Sequence, residues 1–172
     1  MEQNSFKIKS MRDVTQEAIS YIAGRREHNI VSLKTRWNKF NKQCMGGIEP
    51  NTVYTIAGIS GSGKSSIVNS IQVDLIDLNP SEEIIILCFS LEMVGFRQVG
   101  RVLSNRLRKT TSTLYSAETD LDDKTFKEVV YVSNQLKEYP IYFVDNPGTP
   151  KQTEEIINSF YEQYVKNTNK HF

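Results

Sequence analysis

A glycine-rich octapeptide, Gly58-Ile59-Ser60-Gly61-Ser62-Gly63-Lys64-Ser65, lies between two stretches with different periodicities. It fits the pattern G-x-x-x-x-G-K-[ST] at every fixed position. Before it, the β-branched and aromatic run Val53 to Ala57 predicts a short strand. After it, apolar residues recur at helical spacing to about Asn79-Pro80, which predicts an amphipathic helix. Strand, glycine loop and helix in this order predict a phosphate-binding loop.

The residue types of the loop suit a triphosphate. Glycines at 58, 61 and 63 place no Cβ between the backbone N–H groups and the phosphates. The following helix adds unpaired N–H groups and the positive end of its dipole. Lys64 would reach the β- and γ-phosphates, and the Ser65 hydroxyl would ligate Mg²⁺. The alternative is a glycine-rich turn with a chance lysine. The predicted ligands of ATP and Mg²⁺ are Gly58, Ser60, Gly61, Ser62, Gly63, Lys64, Ser65 and Ser66.

Composition excludes several other classes. The 172 residues carry 21 basic and 20 acidic side chains, a formal charge of +1, so no overall field favours nucleic acid or membrane. The first ten residues are polar, unlike a secretory leader, and their lack of periodicity predicts disorder. No apolar run is long enough to span a bilayer. Cys44 and Cys88 are isolated, which predicts free thiols and a cytoplasmic location.

Two further strands are predicted after the loop. The apolar run from Ile84 to Phe89 suits a parallel strand that is covered on both faces, and it ends in Ser90-Leu91-Glu92-Met93. Glu92 therefore lies where ligands of such sheets gather, as a candidate general base or as an ordinary exposed strand-end residue. A third strand, 140–144, precedes Asp145 and a helix with Thr149 as its N-cap. The alternation predicts an α/β domain with a parallel sheet.

For two predicted helices, the sequence does not decide which surface they pack against. The helix predicted over 11–28 carries an apolar stripe, which packs either on its own domain or on a neighbouring subunit. The helix predicted over 95–109 presents Arg97, Arg101 and Arg108 on one outer face. This basic face is either solvated or contacts nucleic acid or another subunit.

Five short motifs follow one another along the chain: T-R-W-x-x-F-N, G-G-I-x-P-N, G-I-S-G-S-G-K-S, F-S-L-E-M and D-N-P-G-T-P. In this order they resemble the motor domain of DnaB-like replicative DNA helicases, and the resemblance runs from about Thr15 onward. The resemblance implies a RecA-like P-loop ATPase core that forms a hexameric ring on single-stranded DNA, with ATP and Mg²⁺ as cofactors. It implies that Glu92 is the catalytic glutamate, acting with Lys64. It also implies that helix 11–28 is a linker that packs on the adjacent subunit, with a primase or a loader as further partners.

The chain also departs from the family pattern. Asn41 stands where an aspartate is usual, and Asn51 replaces a glycine. The family's second metal-site carboxylate would fall just beyond Phe172, and the DNA-contacting loops and the arginine finger lie further on. These departures predict the N-terminal half of a motor, from a phage or a partial reading frame, that is nearly inactive alone. The predicted divisions are a disordered start (1–10), a linker helix and connector (11–33), and a partial ATPase domain (34–172).

Two other functions fit the same residues. One is a small self-contained P-loop kinase or NTPase in which Asp145, at the end of an apolar strand, directs Mg²⁺. An acceptor hydroxyl or a nucleobase as co-substrate would favour it. The other is a binding module that uses ATP only to assemble, which would show ATP-dependent association without turnover.

Overall fold

The computed structural model describes residues 8–146 and 148–172. Within these ranges the chain alternates helices with short strands, as an α/β domain does. The elements are α1 (Met11–Arg26), α2 (Asn38–Gln43), α3 (Lys64–Asp77), β1 (Ile86–Phe89), α4 (Gly95–Leu107), α5 (Thr111–Tyr115), α6 (Asp123–Leu136), β2 (Ile141–Val144) and α7 (Pro150–Tyr164).

The sheet is parallel, as predicted, but two-stranded within the described residues. β1 and β2 pair in register from Ile86 opposite Ile141 to Phe89 opposite Val144. On the other edge of β1, the Ile85 N–H donates to the His171 carbonyl at 2.9 Å. The His171 N–H in turn donates to the Glu83 carbonyl at 2.7 Å, which makes a single parallel bridge.

The predicted strand over Val53–Ala57 is wrong, because residues 52–59 form no regular secondary structure. A groove of about 680 Å³ is lined by Val53 and its neighbours, by residues 84–87 of the β1 edge and by residues 170–172. A strand is stabilised by a second backbone about 4.8 Å away, and no strand of the described residues pairs with this segment. Val53 is consequently 92% exposed.

Both faces of the sheet are covered by helices. Tyr142 of β2 stacks edge-on against Phe160 of α7, with ring centroids 5.0 Å apart. The neighbouring Phe143 lies on the opposite face, against Gly95 of α4. The apolar core is small, and its central cluster is Ile85, Phe160 and Val165.

Helix starts follow local sequence signals. The Thr149 hydroxyl accepts a hydrogen bond from the Gln152 N–H, and the Gln152 side chain accepts one from the Thr149 N–H. The predicted capping box is therefore present. Ser10 forms the same motif with Asp13 at α1. The predicted disordered start at 1–10 is therefore wrong at Ser10, and residues 1–7 lie outside the described residues.

Other details differ from the predictions. The first helix ends at Arg26 and not at residue 28. The short helices α2 and α5 were not predicted from the sequence. In the turn after β2, Pro147 lies outside the described residues.

Candidate nucleotide-binding site

The glycine loop turns sharply into α3. Gly61 and Gly63 have φ angles of 76° and 89°, in the left-handed region that glycine tolerates best. The Ser62 N–H donates to the Ile59 carbonyl at 3.2 Å, which closes the turn. A Cβ added at Gly61 or Gly63 would meet no atom within 4 Å, so the space beside both residues is open.

The N-terminus of α3 faces this loop without a side-chain cap. Gly63 is the N-cap residue, and it has no side chain that could satisfy the first N–H groups of the helix. The first turn contains Lys64, Ser65 and Ser66, and it contains no acidic residue. The partial positive charge of the helix end is therefore available to an anion.

Lys64 folds back over the loop. Its Nζ donates to the carbonyls of Gly58 and Ile59, at 3.0 and 3.1 Å. A Cβ added at Gly58 would lie 2.5 Å from Ser62 Oγ, so a side chain there would require the Ser62 hydroxyl to move. The lysine ammonium is thus held at the loop by neutral carbonyls, which a phosphate could replace as its partner.

Glu92 lies in a bend directly after β1, at the carboxyl end of the strand as predicted, and it is exposed. Gln98 of α4 fixes this bend: its Nε2 donates to Ser90 Oγ at 2.8 Å and to the Met93 carbonyl at 3.1 Å. No hydrogen bond or ion pair in the described parts of the chain joins Glu92 to Lys64. The structure therefore fixes the backbone position of Glu92, and its proposed chemistry stays a prediction.

Most of this chain matches a known protein family. The model for the DnaB-like helicase C-terminal domain matches residues 32–167. The chain belongs to the DnaB-like helicase family. A search of curated proteins gives no match. The matched region is a DnaB-like helicase ATPase region, and α1 precedes it.

Asp145 has a structural partner in this DnaB-like domain. Its Oδ1 accepts from the N–H of Gly95, the first residue of α4, at 2.7 Å.

In the described ranges no group of three or more His, Cys, Asp or Glu side chains could hold a metal ion. Nor does any helix found there have the length and apolarity to cross a membrane.

Two contacts that support α3 could not be read from the sequence. The Arg36 guanidinium forms a two-pronged ion pair with the buried Asp74, at 2.7 Å for the shortest contact, and the hydrogen bond that it donates to Asp74 raises the pKa of Arg36. Asn79 accepts from the Lys34 N–H at 2.8 Å and donates to the Lys34 carbonyl at 3.1 Å. These pairs are 38 and 45 residues apart, so no local pattern announces them.

Proposed function

We propose that this chain supplies the ATP-binding part of a DnaB-like helicase, which couples ATP hydrolysis to movement along single-stranded DNA. The observation that carries the proposal is the glycine loop itself. It combines open space at Gly61 and Gly63, an uncapped helix N-terminus and the ammonium of Lys64. These three features suit a bound triphosphate.

The roles of the residues follow from their positions. The N–H groups at the start of α3 would bind phosphate oxygens, and Lys64 would exchange its two carbonyl partners for the β- and γ-phosphates. The Ser65 hydroxyl, which makes no hydrogen bond to the described residues, would ligate Mg²⁺. When bound, Mg²⁺ would neutralise charge on the phosphates. Glu92 would accept a proton from the attacking water.

Assembly into a hexamer through α1 is part of the proposal. None of the residues of α1 is buried. Its apolar stripe is instead exposed, with Val14 at 46%, Ile19 at 55% and Ile22 at 66%. A helix that leaves its apolar face in water is suited to dock on a neighbouring copy.

A primase or a loader stays a predicted partner. The free thiols of Cys44 and Cys88 support the predicted cytoplasmic location.

Equilibrium ATP binding in the presence of Mg²⁺ tests the central claim. Lys64→Ala should weaken binding by roughly 10- to 100-fold, because a hydrogen bond from a charged group contributes about 1.5–3 kcal/mol. Lys39→Ala, which removes an exposed lysine of α2, is the matched control and should bind like the parent. Equal affinity in the Lys64 variant and the parent would overturn the loop assignment.

A further inference from the structure

A basic cleft of about 760 Å³ lies between α3 and α4. The cleft starts at Ser66 in the first turn of α3 and extends past Asp77 at the end of that helix. At the helical rise this distance is about 16 Å. The cleft is therefore long enough for more than one anionic group.

The charges that line the cleft are strongly unbalanced. Five basic side chains line it, and Asp77 is the only acidic residue among the described residues that do so. Two of the basic groups are already neutralised. Arg36 pairs with Asp74 at 2.7 Å, and Arg106 pairs with Asp77 at 2.6 Å.

Three cations remain, namely Arg101, Arg108 and Lys109. No carboxylate of the described residues lies within 4 Å of any of them. Lys109 interacts weakly with the charge of Asp122, whose pKa is lowered mainly by hydrogen bonds from Thr125 and to a lesser degree by Lys109. Charge that is concentrated in a concave surface attracts anions more strongly than the same charge spread over a convex one.

The backbone holds two of these cations at the end of α4. Arg108 adopts a left-handed conformation with φ 52°, which is uncommon for a residue with a side chain. The Ser104 hydroxyl donates to the Lys109 carbonyl at 2.5 Å, and the Lys109 N–H donates to the Ser104 carbonyl at 3.0 Å. These bonds fix the turn that carries Arg108 and Lys109.

The remaining lining identifies the kind of anion. The hydroxyls of Ser70 and Thr111 and the amides of Asn69 and Asn105 stand beside the three cations. Asn69 is 6% exposed, and its Nδ2 is a buried donor without a partner in the described residues. Within the described parts of the chain no aromatic side chain lines the cleft, so these residues offer a base no surface on which to stack. Guanidinium, ammonium, hydroxyl and amide donors together are the groups that contact phosphate oxygens.

We propose that the α3–α4 cleft is a second phosphate-binding site, separate from loop 58–65, with Arg101 and Arg108 as its main contacts. The phosphates belong either to a single-stranded nucleic acid or to a free polyphosphate. The nucleic-acid source rests on the proposed helicase function, whereas the site itself rests on the charges of the cleft.

The test measures binding of labelled oligo-dT and of inorganic triphosphate to the 172-residue chain, in a Lys64→Ala background that weakens binding at the loop. Arg101→Gln with Arg108→Asn removes two cations, and asparagine tolerates the left-handed conformation at 108. Arg12→Gln with Arg97→Gln is the matched control. It removes the same charge from residues that do not line the cleft.

For oligo-dT, the slope of log affinity against log salt should fall by about 1.4 in the cleft variant, since each single-strand phosphate contact contributes about 0.7. The control should keep the parental slope, and Arg101→Lys with Arg108→Lys should keep it as well. A cleft-dependent loss for triphosphate alone would assign the site to a free polyphosphate.

Three results would overturn the proposal. They are equal losses in the cleft variant and the control, lost binding in the lysine variant, or poly-glutamate bound as tightly as the phosphate ligands. ATP binding by the chain with Lys64 intact is measured separately. Failure of that binding counts against the proposed function and not against the cleft.

Discussion

The N–H of Gly95 donates to Asp145 Oδ1 at 2.7 Å, and this bond ties the end of β2 to the start of α4. The N-cap of α4 is Val94, which offers no side-chain acceptor. The carboxylate of Asp145 therefore caps the helix instead. A carboxylate at a helix N-terminus is favoured by the helix dipole. Gly95 permits the approach, because a Cβ there would lie 3.0 Å from Phe143 Cγ. This role counts against Asp145 as the Mg²⁺-directing carboxylate of a self-contained NTPase.

Replacing Asp145 should therefore affect stability and not metal binding. Asp145→Ala should lower the free energy of unfolding by about 0.5–2 kcal/mol, the usual cost of losing a helix cap. Asp145→Asn retains an acceptor oxygen and should cost less. Urea unfolding measures both, with Asp120→Ala in an exposed connector as the control. Unchanged stability combined with a loss of Mg²⁺-dependent ATP binding would instead favour the small-NTPase interpretation.

Local signals in the sequence predicted helix starts well. The capping box of Thr149 and Gln152 needs only residues three apart, and the structure has it. Strand formation needs a distant partner. The run from Val53 to Ala57 has strand composition, but a groove and not a paired strand lies beside Val53. Composition alone could not reveal this.

The candidate site also combines features that short motifs predict with contacts between distant residues. The pattern of residues 58–65 and the position of Glu92 after β1 could be predicted from short motifs. The bond between Gly95 and Asp145 joins residues 50 apart, and the clamp of Gln98 on Ser90 depends on how α4 packs against β1. Such contacts appear only once the chain has folded, so no residue pattern points to them.

Glu92→Gln should impair turnover and spare binding. Glutamine keeps the shape of the side chain and loses the base. In a chain extended to carry the family's second metal-site carboxylate and arginine finger, hydrolysis should therefore fall by ~10²–10⁴. ATP affinity should stay near the parental value. Single-turnover hydrolysis, with protein in excess over radiolabelled ATP, detects even slow rates. Glu83→Gln, an exposed glutamate three residues before the start of β1, is the control. Parental hydrolysis by the Glu92 variant would reduce Glu92 to an ordinary strand-end residue.

The N-terminus of α6 should loosen in acid. Hydrogen bonds from the Thr125 hydroxyl and N–H lower the pKa of Asp122 in the folded chain. Because the folded pKa lies below the unfolded value of about 3.9, the cap is fully effective above that value and is lost as the pH falls through the folded pKa. The protection factor of the Thr125 amide, which compares its exchange with the intrinsic rate at the same pH, should therefore fall on acidification below about pH 4. Asp122→Asn should abolish this pH dependence, and a parental profile in the variant would contradict the assignment.

The exposed stripe of α1 should control assembly. Ile19 and Ile22 are 55% and 66% exposed in the single chain, and docking on a neighbouring copy would remove both from water. Ile19→Asp with Ile22→Asp should place charges in that contact and shift the chain from the proposed hexamer towards monomer in sedimentation velocity, because burying an unpaired carboxylate is costly. Neither isoleucine is buried in the single chain, and no residue of α1 is buried, so the thermal unfolding of the monomer should hardly change. Gln16→Asp with Ser20→Asp adds the same charge to α1 outside the apolar stripe, and should leave assembly intact. Equal dissociation in both double variants would mean that charge repulsion, and not loss of the apolar contact, controls the oligomer.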